Sequence, residues 1–590
     1  MPLLDASPHL QARHRITYVI FTILFLIAPF YYQDNLGGEG LGLPFNAVIW
    51  IPVVCLIGVG LISLLQTGVW VKPRFLALIG LFPLLIVLGG FASGLERPGE
   101  WIVRIGVLVG GMLLWFALFQ VRFQRRDVES LLYIVLAGFL LHGVVGLTQL
   151  VPDSIFKGWV PIGSDRQFIG MFQQPNLQAS LMATTIALAL YLAATPGFQA
   201  QRWPMKSLVL LSAGIASLEV VGSGSRVGLF SALLVLALVC LSSYRKFVRI
   251  PVFTLLLSIS IGVGGYLGFT KTEGAMFAYS KVERLVEEGR DARPHIYALA
   301  VDTWQTAPWI GHGIGSFQRE FHDQGAIYIA ENDSVGLGGQ RFSHPHNELL
   351  FWAIEGGVIA LIAISCAVAA VVLQLYRLGW QRGGLTAALL LPIAFHTQVE
   401  LPFYISTFHW IVLVVLLFVC FYPGARVKPV NLSMGASKLI TIMALSVPPL
   451  VTVFPMHSLL SQTGIMQYLK TRGAQPQHLN YALNNLYFRE QGEYFMMRAV
   501  LYSGIQRKEQ ASVDSFVSWA ESFLQQIPDI QIYKDLAAAY QYLGEAGKSK
   551  RVLDLASGIY PAEKALQVAK TKLLSGDALI PRSQAASISK

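Results

Sequence analysis

The chain has 590 residues, 54% of them hydrophobic and only 13% charged, with a mean hydropathy of +0.54 and a formal net charge of +10. Soluble domains carry roughly 25% charged residues, so this composition excludes a water-soluble globular protein and points to a polytopic membrane protein. The positive charge sits between apolar runs as a topology signal, and no nucleic-acid partner is expected from it.

Apolar runs of about 17–25 residues suffice to span a bilayer core. In chain order the predicted spans are 15–32, 44–65, 75–93, 101–121, 131–151, 177–195, 206–222, 227–243, 250–270, 348–375, 384–399, 405–423 and 438–456. That is an all-α transmembrane bundle of about thirteen spans, within a range of about twelve to fourteen. The spans 206–222 and 384–399 are short and interrupted by Gly, Pro or polar residues.

Lys and Arg collect in cytoplasmic loops. Alternate loops hold Arg13 and Arg15; Lys72 and Arg74; Arg122, Arg125 and Arg126; Arg202 and Lys206; Arg245, Lys246 and Arg249; Arg377 and Arg382; Arg426 and Lys428. The intervening short loops are poorer, Arg97 and Arg226 standing alone in theirs. The amino terminus is therefore expected inside, the carboxyl terminus outside, and the first span is expected to be an uncleaved anchor. Cys55, Cys240, Cys366 and Cys420 all fall in predicted spans, so no disulfide framework is expected.

This divides the chain into an amino-terminal bundle (1–270), a large outward loop (271–347), further spans (348–456) and an outward helical domain with its tail (457–590). A smaller polar loop covers 152–176. Within the last domain, Ile532 to Pro561 resembles one tetratricopeptide-type hairpin, with Leu536, Ala537, Tyr540, Leu543 and Gly544 in its first half and Leu553, Ala556 and Pro561 in its second. The tail after about Ser575 is small and polar, and no fixed structure is expected there.

The large loop ends on His344-Pro345-His346-Asn347, directly before an apolar span. Histidine changes charge near neutral pH and suits proton transfer or metal ligation. His312 or His322 would have to complete a metal set, but no Cys or acidic cluster does so with suitable spacing, and no metal is expected. Residues 294–306 have helical spacing, with Ile296, Leu299, Ala300 and Trp304 on one side; Gly311-His312-Gly313-Ile314-Gly315 reads as a turn. Its glycines are no nucleotide loop, because no strand precedes them. Arg290 and Arg293 open the helix and Arg226 lies at the outer end of two adjacent spans, so three guanidinium groups offer planar, bidentate recognition of phosphate or diphosphate. His396 stands one helical turn before Glu400. Glu355 and Glu219 lie inside predicted spans, where a carboxylate is costly unless paired, so they are expected to pair with these arginines and histidines or to lie nearer the surface. His142, midway in a span, is expected to be a hydrogen-bonded packing residue.

At these positions the chain resembles the O-antigen ligase and polymerase superfamily of bacterial membrane glycosyltransferases, and within it the PglL-like O-linked oligosaccharyltransferases. The His-Asn pair followed after nine residues by Gly-x-x-Gly is matched by His346-Asn347 and Gly357, with Ala360 in place of the last glycine. The Gln-rich motif is matched by Gln173-Gln174-Pro175-Asn176-Leu177, and the Ser-Arg at a span end by Ser225-Arg226. Arg293 with Pro308, Gly311 and Gly313 matches the arginine that opens a helix ending in Pro-x-x-Gly-x-Gly, and His396, Glu400 and Pro402 match the His-x-x-x-Glu-x-Pro turn.

The resemblance implies a bacterial inner-membrane enzyme that moves a glycan from an undecaprenyl-diphosphate carrier to a Ser or Thr hydroxyl of a periplasmic, pilin-like protein, without a cofactor. His346 is then the expected base, supported by His344, Asn347, His396 and Glu400. Arg226, Arg293 and Arg290 would bind the diphosphate, and Gln174 and Asn176 belong to the donor or acceptor site. Transfer to lipid A core, polymerisation of repeat units, and transport of the lipid-linked sugar are the other readings. Transport is disfavoured because no internal repeat is evident.

Overall fold

The computed structural model describes residues 8–94, 97–151, 156–163, 167–274, 292–332, 337 and 341–580. Ten helices among them are long and apolar enough to cross a membrane, and Leu76–Ala92 and Thr407–Phe421 are shorter apolar helices. Every predicted span falls on one of these helices. Several begin with proline in the first turn, as Pro44, Pro175 and Pro251 do. There the missing N–H forfeits no intrahelical bond.

Glu348–His396 is assigned as one helix of 49 residues. At 1.5 Å per residue it would be more than twice as long as a bilayer core is thick. It does not run straight. Gly379 takes φ +73, and a Cβ on Gly383 would lie 2.4 Å from the carbonyl oxygen of Leu375. The chain therefore doubles back there, and Arg377 and Arg382 flank the reversal, giving the two apolar limbs that the sequence predicts.

The chain packs as two compact units: Met1–Pro83, Gly106–Glu288 and Ile364–Met456 in the first, Leu84–Ile105, Gly289–Ala363 and His457–Lys590 in the second. In the first unit, Pro175–Ala193 is the most enclosed helix. Trp203–Gly222 and Pro251–Lys271 approach until a Cβ on Gly264 would meet the Gly214 carbonyl oxygen at 2.1 Å, and one on Gly268 the Leu218 oxygen at 2.3 Å. Small residues permit such contact where no hydrophobic force drives helices together in lipid. Ser217 and Ser260 add hydrogen bonds to the carbonyls of Ile261 (2.8 Å) and Leu210 (2.7 Å). Two loops also pair as an antiparallel ribbon, Val69–Lys72 with Arg426–Pro429, which the apolar pattern does not foreshadow.

In the second unit a series of helices, Arg489–Arg507, Gln510–Gln526, Ile530–Tyr542, Ala546–Ile559 and Lys564–Ser575, shares one core. Leu536, Ala537, Tyr540, Leu553 and Ala556 are buried in it, as the hairpin pattern predicts. The hairpin is not alone, since Leu501, Val513 and Phe516 of the preceding helices complete the same core. The expectation of an unstructured tail after Ser575 is corrected as far as Ile580: Leu579 donates its N–H to Gln541 (2.9 Å) and packs with Ile580 against this core. Residues 581–590 lie outside the described residues. The helix Phe317–Asn332 of the large loop joins the same unit, with Arg319 donating to the Leu524 carbonyl (2.8 Å) and Arg341 paired with Asp529 (2.8 Å).

Candidate active site

Within the second unit, His346 takes a left-handed backbone with φ +55, which costs a non-glycine residue about 1–2 kcal/mol. Two hydrogen bonds fix it. Its N–H donates to His344 Nδ1 (3.3 Å), and the Tyr297 hydroxyl donates to its carbonyl (3.4 Å). The two imidazoles lie 4.6 Å apart at 82°, both half-buried, over a buried Pro345. Asn347 caps the following helix, its side-chain oxygen accepting from the N–H of Leu350 (3.0 Å).

Tyr297 lies one turn into the helix Ala292–Thr306, whose first turn contains Arg293, so one helix carries both the guanidinium and the hydroxyl that steadies His346. Ile296, Leu299 and Ala300 are buried as predicted. The glycine turn that follows has φ +71, +104 and +97 at Gly311, Gly313 and Gly315. It interlocks with a break in the helix after His346. Gly357 takes φ +59, the N–H groups of Val358 and Ile359 donate to the carbonyls of Pro308 (2.8 Å) and Trp309 (3.3 Å), and those of His312 and Gly313 donate back to Ile354 (2.9 Å) and Glu355 (3.0 Å). A Cβ on Gly357 would lie 2.5 Å from the Trp309 carbonyl, and one on Gly311 2.4 Å from the Glu355 backbone. Two of the motif's glycines are thus explained by one joint.

Glu355 locks this joint from its side chain. Fully buried, it accepts from the N–H groups of Gly315 (3.0 Å) and Phe317 (3.4 Å) and pairs with Arg104. Arg104 also bonds Glu100 (3.1 Å) and lies 4.8 Å from the Phe351 ring; Arg97 bonds Glu490 (3.1 Å) and the Gly315 carbonyl (3.0 Å). Glu355 is buried and does not lie nearer the surface, and its charged partner is neither Arg226, Arg290, Arg293 nor a histidine but Arg104, 251 residues away. The available signal was Glu100 and Arg104, two charges one helical turn apart at the head of an apolar run.

The first unit assembles the other motif residues. Gln174 precedes the helix Pro175–Ala193, and its buried side-chain oxygen has no hydrogen-bond partner among the described residues. Asn176 Oδ1 accepts from the Ser225 hydroxyl (2.8 Å), which in turn accepts from the N–H of Gly228 (3.3 Å) and caps the helix Arg226–Val248. Arg226 is exposed at the first position of that helix. Two helix amino ends thereby meet beside a guanidinium, and such ends present free N–H donors and partial positive charge to anions.

Glu400 follows His396 by one turn, its N–H bonded to the His396 carbonyl (3.0 Å), and both are buried. The His396 ring nitrogens have no hydrogen-bond partner among the described residues; the ring lies 6.5 Å from that of His409, which bonds Ser406 (3.0 Å) and the Leu177 carbonyl (3.2 Å). Two expectations are corrected here. Glu219 takes its hydrogen bond from Gln178 (2.6 Å), not from an arginine or histidine, and His142 packs against Phe172 (5.0 Å) with both ring nitrogens unbonded among the described residues. Arg290 lies outside the described residues.

Three family models match this chain. The model described as protein glycosylation ligase matches residues 169–193, that described as O-antigen ligase matches 208–365, and that described as virulence factor membrane-bound polymerase, C-terminal, matches 385–574. No curated protein matches the chain. Matched in order from residue 169 to residue 574, on a helical membrane protein with the motif geometry above, the three models support a PglL-like member of the O-antigen ligase superfamily.

Proposed function

We propose that this membrane glycosyl-transferring protein is an O-linked oligosaccharyltransferase. It takes a glycan from undecaprenyl diphosphate and delivers it to Ser or Thr of a pilin-like protein on the periplasmic side of the bacterial inner membrane. His346 accepts the proton of the acceptor hydroxyl as its oxygen bonds the anomeric carbon, while the bond from that carbon to the diphosphate breaks. The leaving diphosphate gains negative charge, which Arg226, Arg293 and Arg290 stabilise; guanidinium groups do this without proton transfer. The step needs no redox or group-carrying cofactor, because the donor already bears its leaving group. Gln174 and Asn176 bind donor or acceptor, and His344, Asn347, His396 and Glu400 hold the base and its surroundings.

The observation that carries the protein-acceptor reading is the match of the protein glycosylation ligase model to residues 169–193, the turn and following helix whose Asn176 is tied to Ser225 beside Arg226. The test is co-expression with a lipid-linked glycan pathway and a pilin-like protein, read by the intact mass of that protein. A glycan-sized addition is expected, falling about 10²–10⁴-fold in rate with His346→Ala. It should fall roughly 10²–10³-fold with Arg226→Ala or Arg293→Ala at unchanged protein level. An addition that persists in His346→Ala removes the base from its role. Ligation to lipid A core is the second reading, favoured by the O-antigen ligase model, whose match at 208–365 spans Arg226, Arg293 and His346. It takes over if glycan appears there and on no protein.

A further inference from the structure

A cavity of about 350 Å³ opens in the carboxyl-terminal part of the second unit, lined by Tyr468, Leu469, Arg472, Phe495, Arg498 and Tyr502 with Gly473 and Ala499. Its volume lies at the small end of ligand pockets, roughly 300–1,000 Å³. Among the described residues no acidic side chain lines it. Behind Arg498 the buried carboxylate of Asp535 is engaged by Arg498 Nε (2.7 Å), Gln531 (2.8 Å) and the Tyr502 hydroxyl (3.1 Å). That triple grip fixes the Arg498 guanidinium, which also lies 5.3 Å from the Tyr494 ring and 5.8 Å from the Tyr502 ring. Burial alone would lower the Arg498 pKa; Asp535 and the two tyrosines more than reverse this, so the group stays charged. Arg472 stands exposed at the rim in a left-handed backbone, φ +52.

We propose that this pocket docks a carboxylate of a polypeptide together with an adjacent aromatic or aliphatic side chain; the inference rests on the protein-acceptor reading, and the polypeptide is the acceptor. Arg498 is balanced by Asp535, so the exposed Arg472 guanidinium at the rim supplies the uncompensated positive charge that favours an anion. Tyr468, Phe495 and Tyr502 supply apolar faces. A sugar ring, by contrast, would need neutral hydrogen-bond partners around its hydroxyls, and the pocket's phenols are already committed: Tyr502 to Asp535, and Tyr468 to the Phe495 carbonyl at 3.5 Å. A buried hydroxyl left unmatched costs affinity, while a carboxylate with an apolar neighbour leaves nothing unmatched. The pocket lies where the first helix of the hairpin array, Arg489–Arg507, meets the end of the helix Met434–Lys470, at the edge of a repeat-like surface of a kind that commonly binds protein partners.

The probe is an array of immobilised decapeptides carrying a Phe-Glu pair in every register, with a matching array carrying Phe-Gln, both incubated with the purified full-length protein in detergent. Retention on the Glu array is expected to exceed the Gln array at least tenfold, to fall with salt, and to be lost in Arg472→Glu. Phe495→Ala, measured beside it, should weaken both arrays alike. Unchanged melting of Arg472→Glu shows that the loss is not unfolding. Equal retention on both arrays, or retention that survives Arg472→Glu, overturns the proposal. Arg472-dependent binding of a soluble uronic-acid oligosaccharide in place of the peptides also overturns it, and assigns the pocket to glycan. Selective peptide binding with no protein ever gaining glycan mass would instead defeat the acceptor reading while leaving a peptide pocket in place.

Discussion

Two glycines show how position decides what a left-handed backbone costs. Gly357 and Gly379 have similar φ values, +59 and +73, yet a Cβ on Gly357 would strike the Trp309 carbonyl and Gly311 N–H while one on Gly379 meets nothing within 4 Å. Gly379→Ala should cost only the strain of about 1–2 kcal/mol. Gly357→Ala must also push two backbones apart and should lower the melting temperature of the detergent-purified protein clearly further; equal shifts would sink the interlock. Arg104 and Glu355 make a second case. Removing one partner of a buried pair strands a charge, at about 3–5 kcal/mol. Arg104→Met leaves the Glu355 carboxylate buried without its cation and should destabilise strongly; Glu355→Gln should cost less, because Glu100 still pairs with Arg104, and the double variant should cost less than the sum. Strict additivity in a double-mutant cycle would show that the two do not act as a unit.

At the scale of elements, the carboxyl-terminal unit owes more to the packing of the hairpin array than to the ion pair that joins Arg341 to it. Arg341 and Asp529 are partly exposed, 41% and 10%, and such pairs contribute about 0–1 kcal/mol. Leu553, fully buried between hairpins, is worth about 2–5 kcal/mol on truncation to Ala. Limited proteolysis should therefore find the carboxyl-terminal unit opened by Leu553→Ala and nearly unaffected by Arg341→Ala; the reverse order would make the ion pair the main tie. The array itself was legible as amphipathic helices, but only as one hairpin. The flanking helices carry apolar stripes of the same kind, but without the partner helix those stripes do not announce a repeat.

For the whole molecule, the basic loops predict that Lys428 faces the cytosol and Glu331 the periplasm. Single cysteines at these two exposed positions, in a protein whose four native cysteines are replaced, should divide under a membrane-impermeant maleimide on intact cells. Position 331 should label and position 428 should not. Labelling of 428 alone would invert the topology and remove His346 from the periplasmic face that the proposed reaction requires.

What the sequence determined by itself were features written in contiguous residues: the apolar runs that became helices, the prolines at their starts, the His344–Asn347 corner, and the helix and glycine turn after Arg293. Each depends on local periodicity or on dihedral preferences that neighbouring residues alone impose. Tertiary structure decided who meets whom across long separations. It paired Glu355 with Arg104 and Glu219 with Gln178, tied Asn176 to Ser225, and joined Val69–Lys72 to Arg426–Pro429. The physical reason is that a buried charge or an unpaired strand edge demands a partner strongly, but hydrogen-bonding chemistry names only the kind of partner; which residue supplies it depends on how the helices come to lie against one another.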